Sequence, residues 1–107
     1  MARLKYTEIK PFREALLRRQ NFLCPLCGRE IEQAEGTLDH CHKTGQVRAV
    51  LHRNCNGVLG RIEHRVGTIK MTDRIVFLEN VIKFLQEEPL SVIHPTHGKK
   101  KKRKKKS

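Results

Sequence analysis

A small α+β domain, built as a β-hairpin followed by a helix and flanked by further helices, is the fold class that this 107-residue chain predicts. Two ligand pairs, Cys24-x2-Cys27 and His52-x2-Cys55, bracket the middle of the chain, and such spacing is typical of zinc sites. Between them, two β-prone stretches meet at the turn sequence Lys43-Thr44-Gly45-Gln46. Apolar residues recur at helical spacing on both sides of this block. A core this small is marginal, so a structural metal would add needed stability.

Taken in order, residues 1–6 are basic and read as loose. Thr7 is placed to cap a helix over about 8–20, and Pro11 suits an early turn because it lacks the N–H that an early turn leaves unused. Ile9, Phe12, Leu16 and Leu17 give that helix an apolar stripe, read as core. Cys24-Pro25-Leu26-Cys27-Gly28 is a zinc-knuckle turn, in which two thiolates converge and glycine tolerates the tight backbone. Residues 31–36 read as a loop. Thr37 to His42 is the first strand, and Gly45 suits a positive φ in the turn. Val47 to Leu51, rich in β-branched residues, is the return strand.

The next helix begins at Asn54 or Cys55, carries Val58, Leu59, Ile62 and Val66 on one face, and ends at Gly67. A last helix, capped by Thr72 or Asp73, runs to about Glu87 with Ile75, Leu78, Ile82 and Leu85 inward. Residues 1–90 form one domain on this reading. Residues 91–107 are a linker and a basic tail.

The formal charge is +12, from 23 Lys+Arg against 11 Asp+Glu. Lys99, Lys100, Lys101, Lys102, Arg103, Lys104, Lys105 and Lys106 supply eight of those charges, two thirds of the net value. Such a run binds polyanions or is a solvated end. No stretch approaches the roughly 18 apolar residues of a membrane span, and the charged start does not look like a secretory leader. A cytoplasmic, membrane-free protein is expected, in which four cysteines favour metal over a disulfide framework.

Cys24, Cys27, His52 and Cys55 make a Cys3His zinc set; a rival set replaces His52 with Cys41 or His42. Ideal strand alternation argues against Cys41, which would point away from His40 and His42. A second constellation needs a different metal. Asp39 is a hard oxygen ligand suited to Mg²⁺ or Mn²⁺. His40 can take a proton from water. Asn56 adds a second oxygen without adding negative charge beside a phosphate. Each of these residues also has a plain reading: Asp39 and Asn56 as caps, His40 and His42 as surface histidines.

The block Asp39-His40-Cys41-His42-Lys43-Thr44-Gly45-Gln46-Val47-Arg48, with Cys24-x2-Cys27 before it and Cys55-Asn56-x2-Leu59-Gly60 after it, resembles the phage recombination endonuclease VII family. These are His-Me, or ββα-metal, finger nucleases related to the HNH group. The resemblance covers about residues 10–65. It implies Asp39 and Asn56 as ligands of the catalytic cation, His40 as general base, and Cys24, Cys27 and Cys55 as zinc ligands, with His52 where the family usually has cysteine. Leu59 stands where junction-resolving members carry a glutamate. His64 is a third cation ligand, a phosphate contact or a plain surface histidine.

The expected function is therefore metal-dependent DNA cleavage by a monomer or homodimer, on duplex or branched DNA, with weak sequence preference. If the protein is phage-encoded, it works in a bacterial host. Arg48, His42, Arg53, Arg61 and the tail are candidate phosphate contacts, with a salt bridge as the alternative for Arg48. The competing class is a non-catalytic zinc-ribbon module that binds nucleic acid. It accounts for the cysteines and the tail and leaves Asp39, His40 and Asn56 without a role.

Overall fold

The computed structural model describes residues 2–70 and 73–98. Its elements are α1 (Ile9–Arg19), β1 (Gly36–His40), β2 (Val47–His52), α2 (Arg53–Gly67) and α3 (Arg74–Gln86), with short 3-10 turns at Tyr6–Glu8 and Gln33–Glu35. The chain divides into two compact units, Met1–Arg74 and Ile75–Ser107.

In the first unit, β1 and β2 pair antiparallel, with Gly36 opposite His52 and Asp39 opposite Ala49. The hairpin is the predicted one, but β1 stops at His40, so Cys41 and His42 belong to the turn rather than the strand. Gly45 has φ +78° there, as expected of a residue that must turn left-handed. At the other end, a Cβ on Gly36 would lie 2.7 Å from Val50 Cγ1, so only glycine fits where β1 enters the core.

The core is Leu17, Cys24, Ile31, Val50 and Leu51, with Leu16, Phe22, Leu38, Ala49, Cys55 and Leu59 packed against it. α1 delivers Leu16 and Leu17 as its stripe predicts, whereas Phe12 stays 40% exposed. The helix is not capped by Thr7: Thr7 lies in the 3-10 turn, and α1 begins after Glu8 with no side-chain cap. It ends through Asn21 and Phe22, both left-handed, with the Phe22 N–H donating to the Leu17 carbonyl at 2.9 Å. This is the six-to-one closure that satisfies an end carbonyl.

Residues 22–31 fold back on themselves. Leu23 bridges Glu30, and the Ile31 N–H donates to the Phe22 carbonyl at 2.6 Å, which places Ile31 in the core. α2 packs on both strands. It starts at Arg53, slightly before the predicted start, and Gly67 is its last residue.

α3, which lies in the second unit after its first residue Arg74, has no buried residue. Ile75, Ile82 and Leu85, expected inward, are exposed, while Leu78 is half-buried. Helical spacing shows which residues share a face but not whether anything covers it. Thr72 lies outside the described residues, as do Lys99 to Lys106. Among the described residues no helix is long and apolar enough to cross a membrane.

Candidate metal centre and active site

The candidate zinc ligands come from three places that the fold draws together. Cys24 and Cys27 sit in the turn closed by the Gly28 N–H on the Cys24 carbonyl at 2.8 Å, and Gly28 takes φ +75°. His52 ends β2, and Cys55 lies in the first turn of α2. The four ligand atoms all lie within 4.8 Å of one another. His52 Nδ1 is 3.3 Å from Cys27 Sγ and 3.9 Å from Cys55 Sγ. Around a tetrahedral zinc, the known Zn–S and Zn–N bond lengths put such atoms about 3.5 Å apart.

The Glu30 carbonyl fixes which histidine nitrogen is free. It lies 2.9 Å from His52 Nε2, and a carbonyl only accepts. In the neutral ring Nε2 therefore carries the proton and Nδ1 has its lone pair toward the sulfurs, whereas without a metal the Cys24 side chain favours the charged ring.

The thiols respond to each other. Burial pushes Cys24 up, but backbone amides at Cys27, His52 and Leu26, with the His52 ring, outweigh it and hold the thiol at about 6. Cys55 moves the other way, to about 11, through burial and then the neighbouring Cys27 and Cys24. One thiolate discourages the next. A soft divalent cation removes that conflict, and the sulfur-rich donor set fits zinc. The Cys3His cluster is the predicted one. The rival ligands Cys41 and His42 lie past the His40 end of β1, where the register pairs His40 with Val47, while His52 pairs with Gly36 at the opposite end.

Asp39 and His40 occupy that far end of β1. Asp39 is 5% exposed, His40 is exposed, and the His40 and His42 rings are 5.1 Å apart at 46°. The pairing shifts between Asp39 and His40, leaving Arg48 on β2 without an opposite residue. Such a bulge re-aims a side chain. Arg48 meets Asp39 with both arms of its fork, Nε to Oδ2 at 2.6 Å and Nη2 to Oδ1 at 3.1 Å. It also reaches Glu63 on α2 at 3.0 and 3.3 Å, and Glu63 takes Arg74 Nη1 at 3.2 Å. Arg48 holds the Glu63 carboxyl below its ordinary value, against a smaller opposing effect of burial.

Asn56 is half-buried and is not a helix cap, because His52 holds that position. It shares a stripe of α2 with Gly60 and Glu63 at intervals of four and seven residues. Leu59, one turn on, packs into the core. His64 is exposed and lines a shallow groove of about 350 Å³ with Cys41, His42, Lys43, Gly60, Glu63 and Arg74. Arg53 and Arg61 are exposed on α2. The sequence reading missed the pairing of Glu63 with Arg48 and Arg74. Only the place of Glu63, seven residues after Asn56, hinted at it.

Residues 1–87 match a family model described as recombination endonuclease VII. No curated protein matches the chain.

Proposed function

The chain belongs to the recombination endonuclease VII family, a family of DNA endonucleases, and on that premise we propose that Asp39, His40 and Asn56 form its cleavage site. The observation that carries this reading is the placement of Asp39 and His40 side by side at the bulged end of a hairpin, on which α2 packs with Asn56 in its second turn. One side chain is buried and held, and its neighbour is open to solvent. A metal ligand and a proton acceptor need those two environments.

Asp39 and Asn56 offer two hard oxygen donors, which fits Mg²⁺ or Mn²⁺ with remaining positions for water and phosphate. The Asp39 oxygens accept from Arg48, and each keeps a second lone pair. When bound, the divalent cation would stabilise charge on the phosphate and on the leaving oxygen. His40 takes the proton from the attacking water. The amide of Asn56 binds without adding a charge that would repel the phosphate. His42, Arg53 and Arg61 hold the DNA backbone, a contact that carries affinity and little sequence preference. His64 contacts the phosphate from the groove wall. The Cys3His cluster pins the start of α2, and with it Asn56, to the hairpin.

In-line attack with the 3′-oxygen leaving gives 5′-phosphate and 3′-hydroxyl ends. Nicked plasmid produced by the protein with Mn²⁺ should therefore be resealed by DNA ligase without end repair. Nicks that ligase seals only after phosphatase or kinase treatment would contradict this chemistry.

A further inference from the structure

Arg48 gives four of its five N–H bonds to carboxylates, two to Asp39 and two to Glu63. A side chain engaged in this way presents little of its fork to a DNA phosphate. The strand bulge that aims it interrupts the pairing of the hairpin at Asp39, the one buried acid among the described residues. A carboxylate turns easily about its last bond. A planar guanidinium gripping both oxygens stops that rotation, and an ammonium does not.

We propose that Arg48 is a positioning residue that fixes the plane of the Asp39 carboxylate for the divalent cation, with Glu63 as the brace that holds Arg48. The proposal rests on the reading of Asp39 as a cation ligand. Arg48 contacts Asp39 and acts through it. Glu63 contacts Arg48 and acts through that residue in turn, and Arg74 also holds Glu63, through Oε2. A plain structural ion pair would affect folding and leave cation affinity alone once the chain is folded.

The test is Mn²⁺ binding, followed by electron paramagnetic resonance, to the zinc-loaded full chain without DNA. Arg48→Lys keeps the charge and loses the fork, and should weaken Mn²⁺ binding about tenfold, the usual effect of removing a partner behind a ligand. Glu63→Gln should weaken it by a smaller factor. In Arg48→Ala, added guanidinium ion should restore binding, whereas methylammonium at equal ionic strength should not. Unchanged affinity in Arg48→Lys, or equal rescue by both cations, overturns the proposal. If Arg48→Lys fails to fold, wild-type affinity in Glu63→Gln overturns it.

Asp39→Asn separates the two levels of inference. Loss of Mn²⁺ binding there, with Arg48→Lys unaffected, removes only the positioning role. Full Mn²⁺ binding by Asp39→Asn would remove the ligand reading itself and the proposal with it.

Discussion

The side-chain amide of Gln20 brackets the backbone of Val50: Nε2 donates to the Val50 carbonyl at 2.9 Å, and Oε1 accepts the Val50 N–H at 2.7 Å. Gln20 Nε2 also donates to the Leu23 carbonyl at 3.1 Å. Gln20 thus acts as a one-residue strand beside β2, tying the end of α1 to the hairpin and to the knuckle. Val50 is fully buried, so its backbone groups need these partners.

Gln20→Leu should therefore destabilise the protein by about 2–4 kcal/mol, the cost of two backbone groups left unpaired. Gln20→Glu should be destabilising at neutral pH, because a carboxylate faces two carbonyls and cannot donate. Protonation restores one donor, so its penalty should narrow as pH falls. Denaturant unfolding of the three proteins at pH 7 and about pH 4.5, near the ordinary glutamate value, checks both statements.

Zinc is expected to hold the first unit together through Cys24, Cys27, His52 and Cys55. Treatment with a strong chelator should lower the melting temperature sharply and release the metal, because structural zinc affinity is folding free energy. His52→Cys should keep one zinc per chain, since the position then carries the thiolate usual in the family. His52→Ala should bind zinc weakly, and Cys41→Ser should bind it normally. Metal analysis after gel filtration distinguishes the variants.

Glu63 supplies a pH signature. Its folded carboxyl is held down, first by Arg48, from an ordinary value of 4.5. A depressed acid contributes stability that is present above the unfolded value and lost as pH falls through the folded one. Wild type should exceed Glu63→Gln in melting temperature at pH 7, and the difference should shrink on acidification below 4.5. A difference that grows with acid would contradict the sign.

The basic run Lys99 to Lys106 lies outside the described residues, yet its charge alone makes a prediction. Its deletion should weaken DNA binding and flatten the dependence on salt, by up to about 7 in the log–log slope if all eight charges meet phosphates. Cleavage chemistry should remain detectable. Affinity measured across a salt series decides the point.

Local signals carried the elements that place the site. The x2 ligand pairs, the Thr44-Gly45 turn and the 3.6-residue periodicity of α1 and α2 each depend on residues close in sequence, so the hairpin, the helix after it and the cluster were legible. What escaped depends on register and long-range contact. Strand alternation gives no warning that Arg48 is an extra residue in β2, so the sequence offered only a salt bridge with no named partner as the alternative to a phosphate contact, and Asp39 emerged as that partner in the structure. Nothing near Gln20 points to Val50, thirty residues away. The loop reading of residues 31–36 missed that Ile31 is fully buried, because one apolar residue in a polar run has no period. The inward face expected of α3 failed for the converse reason: Ile75, Ile82 and Leu85 have the period and are exposed.

The most direct test of the cleavage site is the rate at which supercoiled plasmid is nicked with Mn²⁺ by wild type and by His40→Ala, with zinc content and melting temperature measured on the same samples. The expected result is a loss of at least about 100-fold in His40→Ala, the scale of a missing general base, with zinc and stability unchanged. Nicking by His40→Ala at the wild-type rate would contradict the assignment of Asp39, His40 and Asn56 as the place where the strand is cut.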